Sequence, residues 1–429
     1  MFELVKLIVG LVTLYFVAKS VNTSPNKYIA FILFALWLRF FLSAFHTLTF
    51  SPLIAGLSIN ALGSIGIVGI GIFIIPTAYL RLKKLLPVYS FLIIIFFSAL
   101  YNAEYSGLIK VLVKWFYFLT IFIMFYLSLK ASGLTETCKR ALIPFAMPVA
   151  LQLLSVVFGE VKSSESDGSA SYIGGYHHEA VFSMMLVAFV MLIGMLPRKT
   201  IRLQSMLFFT GVLFILLANY RTAILAVLPV MMIFIYSSME QRIDRRYKLP
   251  VFIFSGILLL GLFSLFFTLQ QERFQDISIV LSNFETLVKP PEHFSLEERR
   301  LFSSRIYLWS QYLTEFANAD TWNKLLGFGP ESWSGVFHHY AHNTYVSYIY
   351  EFGYLGIISF ILLNSFVLVT SWLMKNRTLS KRVFFSLVGF LIMNLATMPI
   401  WAIEGLIVYA ILFGLTFANP GQSDLRGNT

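Results

Sequence analysis

The sequence predicts an all-α polytopic membrane protein, and three observations support this fold class. Hydrophobic residues make up 58% of the 429 residues and charged residues 12%, with a mean hydropathy of +0.78. Soluble domains are far less apolar. Apolar runs of about 17 to 25 residues, each able to cross a hydrocarbon core of roughly 30 Å as a helix, recur along nearly the whole chain. Basic residues gather in short loops between these runs, so we expect about 12 or 13 transmembrane helices.

The predicted spans begin with a retained N-terminal helix, because no small-residue cleavage site follows the first apolar run. The full set is Phe2 to Ala18, Tyr28 to Phe45, Leu62 to Leu80, Leu86 to Tyr101, Leu108 to Leu129, Ala141 to Phe158, Glu179 to Leu196, Leu203 to Leu217, Thr222 to Tyr236, Leu249 to Leu269, Thr344 to Leu373, Val383 to Met398 and Ile403 to Phe417. The chain then divides into helices 1–10 in residues 1–269, an external loop domain in 270–343, and C-terminal helices with a short cytoplasmic tail in 344–429.

Lysine and arginine occupy every second loop, which places those loops in the cytoplasm. The groups lie near Arg81, Lys130, Arg198, Arg242 and Lys375. The net charge of +11 is therefore dispersed, whereas nucleic-acid binding requires one basic patch, so no nucleic-acid partner is expected. The opposite loops, including 160–178, 219–221 and about 270–343, face outside. The last is much longer than a connector needs to be, which indicates a functional segment.

Within that long loop, Ser295 to Glu298 has a capping-box pattern that predicts the start of a helix. The helix would carry one apolar face, and Arg305 falls on that same face. A cation on a buried face calls for an anion, although Arg305 could also pair with a structural carboxylate or extend its charge to the edge of the face. The apolar positions are Leu301, Phe302, Ile306, Trp309, Leu313 and Phe316.

Three external loops end in polar residues where a helix descends into the membrane: 177–179, 219–222 and 342–344. Helix N-termini favour anions, phosphate groups in particular, and Arg221 adds a planar cation suited to phosphate oxygens. If the three helix starts converge, they form an external pocket for a phosphorylated ligand. Arg221 could instead hold lipid headgroups. Arg39 lies well inside a span, where an ionisable group is usually functional, although it could extend outward.

All seven histidines map to the external side or its membrane edge. His342 is a candidate general base, since imidazole titrates near neutral pH, or it bonds to backbone at the helix start. Its neighbour Asn343 could orient a sugar or cap the helix. A metal site using His338, His342 and the 177–179 segment is the alternative, but no HExxH or CxxC pattern accompanies these residues, so neither a metal nor a cofactor is expected.

Four motifs in this order resemble a known family. They are NYRTA at 219–223, SRIYLW at 304–309, GFGPESW at 327–333 and AHNTYVSYIYEFGYLG at 341–356. Together they are similar to the O-antigen ligase and O-antigen polymerase superfamily of bacterial inner-membrane glycosyltransferases, over roughly Ile173 to Phe360.

The resemblance implies a GT-C-like helical fold with a large helical periplasmic loop over a lateral cavity. The implied donor is a glycan on undecaprenyl pyrophosphate, and the acceptor is a glycan or lipid A core. Membrane lipids and a chain-length regulator are further candidate partners. Arg221 and Arg305 would bind the pyrophosphate, and His342 would lie beside the acceptor hydroxyl. The remaining candidates for substrate binding are Asn343, Arg39, His177, His178, Glu179, Tyr345 and Glu351.

The function expected from both arguments is an O-antigen or exopolysaccharide polymerase that joins lipid-linked repeat units at the periplasmic face by inverting, metal-independent transfer. The closest alternative is an O-antigen ligase that uses the same residues with lipid A core as acceptor. A flippase or transporter of lipid-linked sugars is less favoured, because a transporter should show charges near mid-membrane and related halves.

Overall fold

The computed structural model describes residues 2–24, 26–54, 56–163, 170–198, 200–240, 244–247, 249–251 and 284–420, with a few residues between 253 and 282. Across these residues the chain is almost entirely helical. The strands found there form two short antiparallel ribbons, β1 (Pro52–Ile54) with β2 (Leu57–Ser58), and β3 (Lys162–Ser163) with β4 (Ala170–Ser171). The all-α expectation is confirmed.

We number the helices of six or more residues in the described part of the chain. They are α1 (Phe2–Asn22), α2 (Lys27–Ala44), α3 (Ile59–Ile74), α4 (Leu86–Tyr101), α5 (Tyr105–Ala141), α6 (Ala146–Phe158), α7 (Glu179–Met195), α8 (Gln204–Leu217), α9 (Arg221–Glu240), α10 (Arg305–Asn318), α11 (Thr321–Leu326), α12 (Thr344–Trp372), α13 (Arg377–Met393) and α14 (Ile403–Ala418). Single turns occur at His46–Thr49, Thr77–Leu80, Lys83–Leu85, Arg245–Tyr247, Phe284–Leu287, Pro291–His293, Glu298–Arg300 and Pro399–Trp401.

The apolar helices agree with a polytopic membrane protein. Within the described residues, six helical stretches are long and apolar enough to cross a membrane, and four shorter apolar helices accompany them. Helix α4 has the bounds predicted for its span. The predicted span Leu249 to Leu269, the start of the loop domain at 270–281 and the tail at 421–429 lie wholly or largely outside the described residues, so the total span count and the domain boundaries stay predictions.

Asparagine side chains fix where two of these helices begin. The Asn26 side-chain oxygen accepts hydrogen bonds from the first amides of α2, and Asn376 accepts one from the Leu379 amide at 3.1 Å to start α13. The predicted span Val383 to Met398 was wrong at its C-terminal end, since α13 ends at Met393. Residues 394–398 form a loop that leads into a 3₁₀ turn opened by Pro399, a residue that disfavours continuation of a helix.

Helix α12 is broken at Gly353, whose φ of +64° lies in the left-handed region. The break frees two backbone carbonyls that the external loop uses. The amide of Phe328 donates to the carbonyl of Tyr350 at 2.9 Å, and the amide of Gly329 donates to that of Glu351 at 2.9 Å. The GFGP turn is therefore a clamp that attaches the external loop to the outer half of α12.

Helix α14 lies at the centre of the bundle, with every residue from 403 to 418 buried. Its one acidic residue, Glu404, receives two hydrogen bonds from the Arg39 guanidinium, from Nε at 2.7 Å and from Nη2 at 3.1 Å. The Ser43 hydroxyl donates to the same carboxylate at 2.8 Å. A buried cation in a membrane bundle needs such a counter-ion, so this pair joins α2 to α14.

The predicted capping box is confirmed. The Ser295 amide donates to the Glu298 carboxylate at 2.8 Å, and the Glu298 amide donates to the Ser295 hydroxyl at 3.2 Å. Lys289 also binds Glu298, and these hydrogen bonds hold the pKa of the Glu298 carboxyl below its usual value. The prediction of one continuous helix from this box was wrong, because three successive residues have positive φ. They are Phe302, Ser303 and Ser304.

Helix α10 therefore begins at Arg305, and its buried stripe differs in detail from the predicted face. The buried side chains are spaced by one turn at Leu308, Tyr312 and Phe316, whereas Leu313 is exposed. Leu308, Tyr312 and Phe316 belong to a small apolar core outside the main bundle. This small core carries the external loop and positions its polar residues.

Candidate active site

His342 lies in the loop just before α12, in a left-handed backbone conformation with φ of +51°. Its ring packs against that of Tyr340 with centroids 4.0 Å apart. Burial lowers the pKa of His342 to about 3, and the nearby charges of Arg305, His178 and His339 act in the same direction. The imidazole is therefore neutral near neutral pH and can accept a proton.

Two hydrogen bonds from α10 hold the loop that carries His342. The Trp309 indole nitrogen donates to the carbonyl of Ala341 at 2.7 Å, and the Tyr312 hydroxyl donates to the carbonyl of His339 at 3.0 Å. Because α10 also begins with Arg305, one helix fixes the backbone around the histidine and presents the arginine.

Asn343 follows His342 and caps α12. Its side-chain oxygen accepts from the amides of Tyr345 at 2.9 Å and Val346 at 3.2 Å. Of the two roles that the sequence left open, the structure shows capping, and sugar binding by the amide group stays a prediction. The cap fixes the residue after His342, which restrains the histidine from its C-terminal side.

Arg305 is half-buried, with its guanidinium carbon 5.3 Å from the centroid of the Phe302 ring. Its positive charge lowers the pKa values of both His342 and Tyr340. Among the residues that the structure describes, Arg305 forms no ion pair with a carboxylate. The alternative of a purely structural carboxylate partner therefore finds no support in this part of the chain.

The pKa of Tyr340 depends on charged and polar groups at the other helix starts. Burial is the main reason that its pKa rises to about 12; Tyr220 and Glu179 raise the pKa further, and Arg305 lowers it. Tyr220 directly precedes α9 and its first residue Arg221, while Glu179 opens α7. Since these groups interact electrostatically with one side chain, the starts of α7, α9 and α10 face the same region as the loop before α12. The convergence on which a phosphate pocket depends therefore has electrostatic support, and the pocket itself stays a prediction.

A segment that the sequence analysis assigned to a membrane span completes this region. The Tyr220 hydroxyl lies 2.5 Å from the Thr397 hydroxyl, which in turn donates to Thr222 at 3.1 Å. The Thr344 amide donates to the carbonyl of Asn394 at 2.9 Å. The loop at 394–398 thus joins the start of α9 to the start of α12. The available signal was Pro399, which ends the apolar run.

Comparison with known proteins identifies the part of the chain that holds these residues. A model of the family described as O-antigen ligase matches residues 206–361, which include Arg221, Arg305 and His342. This match confirms the resemblance to the O-antigen ligase superfamily for residues 206–361. No curated protein matches the chain. Thr397 and the adjoining 3₁₀ turn lie beyond the matched segment, so the candidate site extends outside the part of the chain that resembles the family.

The two histidine candidates at the start of α7 lie in different environments. His178 caps the helix, because its Nδ1 accepts a hydrogen bond from the Ala180 amide at 3.0 Å. Its charge lowers the pKa of His342. His177 instead lies against His46, with ring centroids 5.0 Å apart. Burial and the neighbouring His177 and Lys6 lower the pKa of His46. Lys162 lies 3.5 Å from Glu179, which partly neutralises that carboxylate.

Metal binding finds no ligand cluster in the described residues. No group of three or more His, Cys, Asp or Glu side chains there is arranged to hold an ion. His338 is exposed, whereas His342 is half-buried and packs against Tyr340. The two side chains therefore lie in different environments, which does not support their binding one metal ion together. The metal hypothesis therefore has no geometric support within the residues that the structure describes.

Three further candidates lie in the membrane helices with structural partners. Arg39 donates to Glu404 and to the Asn60 side chain at 2.7 Å. Glu351 accepts from the Glu331 amide at 2.8 Å and from the Ser347 hydroxyl, so it reinforces the clamp at the break in α12. Tyr345 packs on Phe360. These contacts explain the side chains without a ligand, and substrate contact by any of them stays a prediction.

Proposed function

We propose that this protein is a polysaccharide polymerase that joins undecaprenyl-pyrophosphate-linked oligosaccharide repeat units at the periplasmic face of the bacterial inner membrane. The observation that carries the proposal is the combination of Arg305, which has no carboxylate partner among the described residues, with the half-buried His342. A diphosphate needs a cation and an attacking hydroxyl needs a base. The similarity of residues 206–361 to the O-antigen ligase family supports the same chemistry.

In the proposed step, the acceptor hydroxyl oxygen attacks the anomeric carbon of the donor sugar. The new carbon–oxygen bond forms as the bond from that carbon to the pyrophosphate oxygen breaks, and its electron pair leaves with the pyrophosphate. The hydroxyl proton passes to the imidazole of His342. Attack opposite the leaving group inverts the anomeric centre.

Arg305 and Arg221 supply the electrostatic part of the mechanism. Each is the first residue of a helix, where the free amides add a partial positive charge. A developing diphosphate charge in a site shielded from water is stabilised by such fixed donors, which can contribute roughly 3 to 4 kcal/mol each to the barrier. The donor is already activated, so no nucleotide is needed.

Donor binding should also make His342 a better base. Arg305 lowers the pKa of the imidazole, and an anionic pyrophosphate bound to Arg305 would offset that charge and favour the protonated form. The histidine would then accept a proton most readily when the leaving group is in place.

An O-antigen ligase is the second candidate, and the similarity of residues 206–361 to the O-antigen ligase family favours it. It would use the same arginines and histidine, with lipid A core in place of a second repeat unit. Both functions require the same donor site, so only the acceptor separates them.

One experiment distinguishes the two functions. Purified full-length protein is incubated with lipid-linked repeat units alone, and then with lipid A core added. A ladder of longer chains in the first incubation supports the polymerase, whereas product only in the second supports the ligase. Absence of transfer in both would refute the proposal. A parallel incubation with a strong chelator tests the metal alternative, which requires loss of activity and recovery with zinc.

A further inference from the structure

Three half-buried aromatic side chains form a cluster beside His342. Tyr340 and Trp401 are stacked with ring centroids 5.1 Å apart and planes 29° apart, and Trp333 packs edge-on to both at 6.0 and 5.8 Å. Tyr340 also packs on the His342 ring. Half-burial leaves part of each ring accessible from outside the protein. The cluster therefore forms a wall next to the proposed base.

The same wall contains polar atoms that lack partners. The indole nitrogens of Trp333 and Trp401 and the hydroxyl of Ser332 are buried, and none forms a hydrogen bond within the described part of the chain. Leaving one buried donor unpaired costs about 1 to 3 kcal/mol. Buried indole N–H groups usually find an acceptor, so the unpaired indoles of two rings in contact, with an unpaired hydroxyl on the residue before Trp333, indicate a bound molecule with several oxygen atoms.

The charge beside this wall indicates the class of that molecule. Lys114 lies with its Nζ 4.3 Å from the centroid of the Trp401 ring, and the same atom pairs with Glu331 at 2.9 Å. The cation that contacts the Trp401 ring is therefore matched by a carboxylate. An anionic ligand would gain little from Lys114, whereas a neutral ligand rich in hydroxyl groups would match both the rings and the free donors.

We propose that Trp333, Tyr340 and Trp401, with Ser332, form a subsite for the sugar ring of the acceptor whose hydroxyl reacts. The inference rests on the proposed function, because it assigns the acceptor to the side of His342 occupied by Tyr340 and the pyrophosphate to the side of Arg305. The indole N–H groups and the Ser332 hydroxyl would donate to ring or hydroxyl oxygens of the sugar, and the aromatic faces would contact its C–H groups.

The test uses full-length protein in lipid nanodiscs and the free repeat-unit oligosaccharide, which carries neither lipid nor pyrophosphate. Binding is measured by calorimetry for the wild type, Trp333→Phe and Trp401→Phe, because phenylalanine keeps an aromatic ring and removes only the N–H donor with part of the ring. Trp372→Phe, at the far end of α12, is the matched control. We expect each of the first two variants to weaken binding about tenfold, as loss of one hydrogen bond predicts, and the control to match the wild type.

Transfer from the lipid-linked donor is measured on the same samples. Unchanged oligosaccharide binding in both Trp333→Phe and Trp401→Phe would overturn the inference, since the indole groups would then be satisfied by water only, and normal transfer would leave the proposed function standing. Oligosaccharide binding that weakens in these variants, in a wild type that transfers no glycan, would refute the proposed function and retain the sugar subsite. His342→Ala should abolish transfer and keep oligosaccharide binding.

Discussion

The indole nitrogen of Trp309 donates a hydrogen bond to the carbonyl of Ala341 at 2.7 Å. Trp309 lies one helical turn after Arg305, and Ala341 directly precedes His342. A single rigid helix thus sets the separation between the proposed pyrophosphate cation and the proposed base. The buried residues of helix α10 belong to the small apolar core and not to the main core of the bundle. Its position should therefore matter more for transfer than for membrane insertion.

Replacing Trp309 with phenylalanine tests this coupling. The substitution removes the hydrogen bond to Ala341, which should cost about 1 kcal/mol of stability, while the aromatic ring still packs on Phe302. We expect kcat to fall more than tenfold with little change in donor KM, because misplacement of the base affects the reacting geometry. Steady-state kinetics and a thermal melt in detergent measure both effects. A loss of stability with unchanged kcat would contradict the positioning role.

Arg305 should be essential, and its neighbour Arg300 provides the control. Arg305→Ala should reduce the transfer rate by roughly 100- to 1000-fold, the usual effect of losing one donor to a developing anion. Arg305→Lys should still lose at least about tenfold, since lysine cannot make the two parallel bonds of a guanidinium. Arg300 is exposed, so Arg300→Ala should remain near wild-type activity. Chain-length ladders that look normal in both Arg305 variants would refute the role.

The pH profile should reveal the unusual histidine. Because the pKa of His342 is lowered to about 3, the group stays unprotonated as the pH falls from 8 to 5, so kcat/KM should be nearly constant over that range. A histidine with an ordinary pKa near 6.5 would instead cost about 30-fold at pH 5. Kinetics at limiting donor give the profile of the free enzyme. An acid limb centred near pH 6.5 would show that His342 is neither buried nor close to Arg305 in solution.

Thr397 should matter although it lies outside the segment that matches the family. Thr397→Val keeps the shape and removes the hydroxyl that joins Tyr220 to Thr222. We expect a three- to tenfold loss of activity and about 1 to 2 kcal/mol of destabilisation, since two buried hydroxyls lose a partner. Thr370→Val is the control, because the Thr370 hydroxyl bonds only to the Phe366 carbonyl of its own helix. Equal behaviour of the two variants would argue against the link.

The break in α12 should tolerate no side chain. A Cβ at Gly353 would lie 2.5 Å from the carbonyl oxygen of Leu325, and its φ is positive, so Gly353→Ala should destabilise the protein by more than about 2 kcal/mol. Gly69→Ala, inside α3 with no atom within 4 Å, should be neutral or stabilising by up to about 1 kcal/mol. Thermal melts of the two purified variants provide the comparison. Equal melting temperatures would mean that the clamp is not rigid.

The sequence predicted the fold class, most span positions and the polar helix starts, because these depend on local composition and spacing. Apolar length identifies a membrane helix, and a polar residue at its external end marks the start. A shared role for Arg305 and His342 was implied only by the resemblance of their motifs to a known family, since no local pattern places one beside the other.

What the sequence could not show depends on contacts between distant residues. Thr397 was hidden in an apolar run, and its partner Tyr220 lies 177 positions earlier, so no local pattern joins them. The positive φ values at 302–304 that delay α10 were also not apparent, because serine and phenylalanine do not require that conformation. Arg39 drew attention as an ionisable residue in a span, but its counter-ion sits in the last helix.

The pair of Arg39 and Glu404, separated by 365 positions, has a consequence for biogenesis. Helix α2 is synthesised long before α14. Arg39 therefore has no Glu404 carboxylate to pair with until synthesis is nearly complete. A chain truncated before α14 keeps a cation inside the membrane with no counter-ion, at a cost of about 3 to 5 kcal/mol. Among the helices that the structure describes, the last in the sequence thus completes the packing of the second.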